Sequence, residues 1–287
     1  MDIKLEDQNY ISTREIDITL ELALKLNRPI LIEGPAGTGK TSVAIAIAKA
    51  LNWPLFRIQC YEGVTFESVI GEFDYKRQLL HIELARQKQS PMNPLNLEDI
   101  FSQEFFIERP LFHSFINNEP NVLLIDEIDK SDEEFEAFLL EALGERQITI
   151  PELGTFKAQN DQQIVVLTSN SSRDLSEPLR RRCLYLYIDF PSPDRERKIL
   201  ATHTGIDFDS PLLKSIAGIV SEIRRYDLRK TPSIAEAIDW AKALIHLGKV
   251  HIDDKTLAQT LPVLLKYQED IQRLESQLKE IIRLGTE

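Results

Sequence analysis

The chain has 287 residues, 43% of them hydrophobic, with 34 Lys and Arg against 46 Asp and Glu, a net charge of −12. That length holds about two domains of ~150 residues and can bury a core without disulfides or metals, so the composition argues against a disordered chain, a collagen and a disulfide-dense secreted scaffold. The acidic balance weighs against a dedicated duplex-DNA binder, which needs a positive face for phosphate.

Residues 1–7 (MDIKLED) show no basic region leading into an apolar stretch, so no signal peptide is expected. No run approaches ~18 apolar residues, so no membrane segment is expected either. The expected protein is cytoplasmic, acidic and soluble. Cys60 and Cys183 lie in or beside apolar runs and are expected as small buried side chains.

In chain order, residues 1–190 alternate short apolar β-rich runs with amphipathic helical stretches, the pattern of a parallel α/β sheet. Ser12 and Glu15 have capping-box spacing ahead of a helix carrying Ile16, Leu20, Ala23 and Leu24. Strands are expected at 29–33 (PILIE), 55–59 (LFRIQ), 122–126 (VLLID), 164–169 (IVVLTS) and 184–188 (LYLYI). Three are nearly continuous apolar runs, as suits strands covered on both faces.

Between the first strand and a helix over 40–51 stands Gly34-Pro35-Ala36-Gly37-Thr38-Gly39-Lys40-Thr41, followed by Ser42. It matches G-x-x-x-x-G-K-[ST] in the context that gives the motif meaning. Its glycines let successive backbone N–H groups converge on phosphate oxygens while the helix aims its positive end at the same anion. Lys40 supplies a point charge to the β- and γ-phosphates, and Thr41 a hydroxyl for Mg²⁺. The expected cofactors are therefore ATP and Mg²⁺.

Residues 63–119 form a long path to the next strand, with a helix expected over 75–89. Leu79, Leu80, Ile82, Leu84 and Ala85 make a ragged apolar face there, interrupted by His81 and Glu83. The acidic strand then carries Asp126 and Glu127 to its carboxyl end, where open α/β sheets place ligands. Asp126 can hold the hydration shell of Mg²⁺, reaching the metal through water, and Glu127 can polarise a water for attack on the γ-phosphate. Ser131 and Glu134 repeat the capping-box spacing, and Gly144 is expected to end that helix.

The strand over 164–169 leads to Asn170, which can bridge the attacking water and the γ-phosphate. Leu179-Arg180-Arg181-Arg182-Cys183 precedes the last strand. An arginine given to a neighbouring subunit neutralises charge on a transferring phosphoryl group, with Arg182 favoured over Arg181. Pro191-Ser192-Pro193 breaks the chain. Beyond it four helices are expected, over 193–203, 211–225, 232–247 and 257–284, with a third capping box at Ser233 and Glu236. In the last, Leu264, Tyr267, Ile271, Leu274, Leu278 and Ile281 form a heptad-like stripe. It suits a helix packed on its own bundle, or else a seam for a partner.

These motifs, in this order, resemble an AAA+ ATPase module over nearly the whole chain, with residues 1–190 as the α/β nucleotide-binding core and 191–287 as an α-helical lid. The fold class implied is a P-loop NTPase core, a five-stranded parallel sheet flanked by helices. The detail resembles the MoxR branch: the GPAGTGKT loop, Arg109-Pro110-Leu111 ahead of the acidic strand, LIDEID at 124–129, FLLEALGERQ at 138–147, and an extra hairpin over 147–156 (QITIPELGTF). The LRRRC wording resembles members paired with carbon monoxide dehydrogenase-type maturation proteins.

The resemblance implies a homo-oligomer, usually a hexameric ring, with ATP at each subunit interface. Lys40, Thr41, Asp126, Glu127 and Asn170 would act in cis, and Arg182 on the neighbour's nucleotide. It also implies a von Willebrand factor A domain partner and a chaperone-like role in metalloenzyme maturation or complex assembly. Many members begin a lid helix with Pro-Arg, whose arginine touches the γ-phosphate; here the pair is Pro232-Ser233, and Arg229 is the nearby substitute. An insertion in the position of 63–119 faces the pore or the client in this family, against a plain surface excursion. Two other readings share the motifs: a nucleic-acid motor or loader, and a nucleotide-gated scaffold with little turnover.

Overall fold

The computed structural model describes residues 5–88, 100–160 and 162–286. Contacts group the described residues into two units, one comprising Glu15–Glu33 and Ile47–Leu186, the other residues 5–14, Gly34–Ala46 and 187–286.

Among the described residues the first unit is built on nine strands in chain order: β1 Ile30–Glu33, β2 Leu55–Gln59, β3 Gly71–Phe73, β4 Phe106–Glu108, β5 Asn121–Asp126, β6 Gln147–Ile150, β7 Gly154–Lys157, β8 Gln163–Ser169 and β9 Leu184–Tyr187. Five form the sheet expected from the sequence, in the order β2-β5-β8-β1-β9. β2–β5, β5–β8 and β1–β8 pair in parallel. Every residue of β1 and β5 is buried, which explains their unbroken apolar reading: strands covered on both faces have no polar side to alternate with. Register sets Gln59 opposite Asp126 and Glu33 opposite Ser169, so the carboxyl ends of neighbouring strands share one edge.

The expected hairpin forms as β6 and β7, antiparallel. The long path between β2 and β5 carries a second antiparallel pair, β3 and β4, and the helix Tyr75–Lys88; the expected end of that helix at Gln89 lies outside the described residues. Of its apolar residues, Leu79, Leu80 and Leu84 face solvent, together with Tyr75. One core runs under this unit, through Leu31, Leu123, Ile125, Phe112, Phe115, Leu139 and Leu167. Cys60 and Cys183 are free and buried, as expected.

The helices correct several caps. The first starts at Arg14, one residue later than a cap at Ser12 requires, and the Ser12 hydroxyl donates to the Thr13 carbonyl at 3.3 Å. The helix Glu133–Glu145 is capped by Asp132, whose carboxylate accepts from the Phe135 amide at 2.8 Å. Ser131, the expected cap, donates to the Ile128 carbonyl instead. Gly144 stays inside this helix, and Arg146 takes the left-handed position that ends it.

The second unit has its own core, centred on Trp240 with Leu213, Ile216, Leu244, Leu257 and Leu274. Helices Pro193–Thr204, Pro211–Ile223 and Ile234–His246 match expectation. Ser233 and Glu236 form their capping box in both directions, at 3.2 and 2.7 Å. The single long terminal helix does not form. It is three helices, Asp254–Leu264, Gln268–Glu275 and Leu278–Thr286, with Pro262 inside the first. The chain extends at Leu265 and Tyr267, which breaks the stripe into segments; Leu264, Leu274 and Ile281 are nonetheless buried. The stripe records burial in this unit's core rather than a continuous seam.

Candidate active site

Gly34 follows directly on the last residue of β1. Its φ is 148°, and a Cβ there would stand 2.0 Å from the Ile188 carbonyl oxygen. Gly37 has φ 81°, and a Cβ on it would meet the Ser233 Cβ at 2.2 Å; the Ile234 amide also donates to the Gly37 carbonyl at 3.1 Å. The loop is thus pressed against the start of the helix Ile234–His246, and neither glycine tolerates a side chain. Lys40 is buried, and its ammonium donates to the Gly34 and Pro35 carbonyls at 2.7 and 2.8 Å. The Thr38 hydroxyl donates to the Pro35 carbonyl at 3.0 Å. Thr41 and Ser42 lie in the first turn of the helix Lys40–Leu51. Side-chain-free glycines, a buried lysine whose ammonium donates to backbone carbonyls, and a twelve-residue helix starting at that lysine fit a phosphate chain.

In the α/β unit the two acids at the end of β5 sit differently. Asp126 is 2% exposed. Its Oδ1 accepts the Thr168 hydroxyl at 2.5 Å and its Oδ2 accepts Arg57 Nη2 at 2.6 Å. Glu127 takes a left-handed backbone, φ 57°, a conformation that costs a non-glycine residue energy and recurs at functional sites. The turn is fixed by its amide donating to the same Thr168 hydroxyl at 2.9 Å. Turned this way, the Glu127 carboxylate accepts Gln59 Nε2 at 2.8 Å and Lys130 Nζ at 2.5 Å on Oε2, and Asn170 Nδ2 at 3.5 Å on Oε1. The structure therefore brings Asp126, Glu127 and Asn170 into one bonded group. A buried acid with one firm hydroxyl bond, next to a more open acid beside an amide, fits a cation held through water and a positioned base.

Asp129 organises the turn beyond Asn170. It accepts the Asn170 amide at 3.2 Å, and the Ser172 amide and hydroxyl at 3.0 and 2.6 Å. Burial raises its pKa, but these bonds favour the charged form more, and the net shift is downward. Pairing with Glu127 pushes Lys130 upward. Burial drives Cys60 up to about 12, with Asp126, Asp129 and Glu127 adding to it, so that thiol stays protonated.

The three arginines have separate fates. Arg180 donates to both oxygens of the buried Glu33, at 2.8 and 3.2 Å. Arg181 pairs with Glu177 at 3.1 Å with its side chain 80% exposed. Arg182 donates to the Leu140 carbonyl and lies where a Cβ on Gly144 would be. Arg229 stacks over the Tyr267 ring at 4.1 Å, in the helical unit.

Residue patterns alone did not single out Arg57, Gln59, Thr168 or Lys130. One signal for the first two was legible: positions two apart on a strand point to the same face, and both flank the buried Ile58.

A family model described as "AAA domain (dynein-related subfamily)" matches residues 29–183. Among curated proteins, the chain is similar to Gas vesicle ATPase GvpN1 of Halobacterium salinarum, 24% identical over 230 residues, covering 76% of this chain and 64% of that protein's own length. It is also similar to Protein NorQ of Paracoccus denitrificans, 22% identical over 246 residues, covering 83% of this chain and 81% of NorQ. A structure of a RuvB point mutant from Thermotoga maritima shares the fold with a TM-score of 0.53 at 20% identity, covering 98% of this chain and 80% of that one. Among the described residues no helix is long and apolar enough to cross a membrane. With the match spanning more than half the chain and every expected core strand present, the chain belongs to the AAA domain family, dynein-related subfamily, as a MoxR-type AAA+ ATPase.

Proposed function

We propose that this chain hydrolyses ATP with Mg²⁺ and uses the cycle to remodel a partner protein in the cytoplasm, where ATP is supplied. The observation that carries the reading is the bonded group Asp126, Glu127 and Asn170 at the carboxyl ends of β5 and β8, on a sheet whose β1 leads into the phosphate-type loop. In this reading, the amides of residues 34–42 and the Lys40 ammonium bind the β- and γ-phosphates. Lys40 exchanges its bonds to the Gly34 and Pro35 carbonyls for phosphate oxygens. Thr41 and Asp126 would hold a magnesium ion, Asp126 through water; when bound it neutralises phosphate charge. Glu127 takes the proton of the attacking water, and Asn170 orients that water. Arg182 or Arg181 reaches the γ-phosphate of a neighbouring copy in a ring, six copies being the number the MoxR resemblance implies. Arg229 is the proposed lid contact, which requires it to leave Tyr267. A von Willebrand factor A domain protein is the proposed partner, and assembly or maturation of a protein complex the proposed task, in keeping with relatives named for gas vesicles. The net charge of −12 weighs against the nucleic-acid alternative.

The test is the Mg²⁺-dependent ATP hydrolysis rate per subunit as protein concentration rises. A sharp rise is expected, because an arginine from a neighbour completes the site. Absence of hydrolysis at every concentration, with or without a von Willebrand factor A domain partner, would leave the scaffold reading in its place. Glu127→Gln should keep ATP bound and cut kcat by about 10²-fold or more, the usual worth of a positioned base. Arg181→Ala and Arg182→Ala, each mixed with subunits of intact arginine, identify which one acts in trans: the true finger is rescued by mixing.

A further inference from the structure

Arg57 projects from β2 and reaches Asp126 directly and Glu127 through Gln59. Its Nη2 donates to Asp126 Oδ2 at 2.6 Å and to Gln59 Oε1 at 2.9 Å, while Gln59 Nε2 donates to Glu127 Oε2 at 2.8 Å. The two partners differ sharply in freedom. The Asp126 side chain is 3% exposed and that of Arg57 50%. Asp126 is fixed by β5 and by the Thr168 hydroxyl; Arg57 is a long side chain with half its surface already in water. A buried carboxylate demands a counter-charge, and a single-nitrogen contact from a half-exposed arginine is the kind that swings away at little cost.

We propose that Arg57 is a positioning residue that serves as the internal counter-cation of Asp126 and yields that place to the divalent cation that arrives with nucleotide. The inference rests on the ATPase reading above. Arg57 keeps the Asp126 carboxylate oriented before nucleotide binds. On exchange, the Asp126 carboxylate keeps its bond to Thr168 and Arg57 moves to solvent. Because the same nitrogen holds Gln59, its departure also removes one of the bonds that set the Gln59 amide against Glu127.

Two cations competing for one carboxylate oppose each other reciprocally, so deleting one tightens the other. The probe is ADP with MgCl₂ added stepwise to the full chain, read as the Mg²⁺ concentration at half-maximal nucleotide retention and as the rise in melting temperature on adding Mg²⁺. In Arg57→Gln the half-saturating Mg²⁺ concentration should fall about fivefold, the lower end of ordinary couplings, and the Mg²⁺-dependent rise in melting temperature should exceed that of the wild type. A merely structural arginine would lower the melting temperature equally with and without Mg²⁺ and leave half-saturation alone, which overturns the proposal while leaving the ATPase reading standing. Failure of the wild type to bind ADP with or without Mg²⁺ overturns both. Should Arg57→Gln not fold, the wild type decides: its Arg57 guanidinium NMR signal, assigned with Arg57→Lys, should move when MgCl₂ is added to the ADP-bound protein and not when ADP is added alone. A signal indifferent to Mg²⁺ overturns the proposal.

Discussion

Asp126 and Glu196 are both buried carboxylates facing an arginine, one in each unit, and they are held in different ways. Glu196 has no exposed side-chain surface and Arg224 only 6%. Their contact is two-pronged, at 2.7 and 2.8 Å. The same guanidinium is pinned by the Pro232 carbonyl at 2.9 Å and lies 4.4 Å over the Phe190 ring. Asp126 faces an arginine that is half in water and touches it through one nitrogen. The helical unit uses its pair as a clamp whose members have nowhere else to go. The α/β unit keeps a charge on its sheet edge with a partner that can leave. Burial of the acid alone does not separate the two pairs; the freedom of the counter-charge does.

The comparison breaks most visibly if the clamp is not a clamp. Arg224→Ala leaves Glu196 charged and unpaired in an apolar setting, where burial already pushes its pKa upward against the pull of Arg224. The expected loss is about 3–5 kcal/mol, measured by urea unfolding of the full chain with Trp240 fluorescence as the reporter. Trp240 is fully buried in that unit, with its indole N–H donating to Thr260 at 2.9 Å. A loss below about 1 kcal/mol would place the pair among exposed ones and erase the contrast.

A smaller effect is expected on the other side. The Thr168 hydroxyl serves both acids, donating to Asp126 and accepting the Glu127 amide. Thr168→Val removes both bonds and should cost about 1–3 kcal/mol. Thr168→Ser, which keeps the hydroxyl, should recover most of that. Equal losses in Val and Ser variants would assign the effect to packing rather than to the hydroxyl.

Much of this was legible in the residues. The sheet could be read because β1, β5 and β8 are buried on both faces, so apolar runs and strands coincide. The loop and the Asp126–Glu127 pair could be read because their spacing is tied to one chemistry. What escaped had a shared cause: it depended on side-chain partners from distant segments. Asp132 rather than Ser131 caps the helix because Ser131 finds the Ile128 carbonyl. The terminal stripe looked continuous because a 3-and-4 spacing persists across breaks that only the backbone at Leu265 and Tyr267 reveals. The arginine run pointed to Arg182 ahead of Arg181, but it held no sign that Arg180 is committed to Glu33, a partner on β1 that spacing along the chain does not announce.

Asp129 gives the comparison a pH dependence. Its folded pKa lies below the ordinary 3.8 because Ser172 and Asn170 bonds outweigh burial. A depressed carboxylate contributes stability that is fully present above the unfolded value and is lost as pH falls through the folded one. The stability difference between wild type and Asp129→Asn should therefore be flat at neutral pH and shrink below about pH 4. A difference unchanged down to pH 2 would mean that the turn around Asn170 does not depend on the charge.

The smallest effect is expected at Lys130. It pairs with Glu127 at 2.5 Å, but both side chains meet water, at 50% and 31% exposure, and such pairs are screened. Lys130→Gln should change stability by no more than about 0.5 kcal/mol. The pKa of Lys130 is raised, chiefly by its bond to Glu127, so its contribution is fully present below the unfolded value of 10.5 and is lost as pH rises through the folded one. At neutral pH the wild type and variant should thus differ only slightly, and 0.5 M salt should erase what difference there is. A loss comparable to that of Arg224→Ala would show that Glu127 is clamped like Glu196, and an acid held that tightly would not be free to turn toward a water.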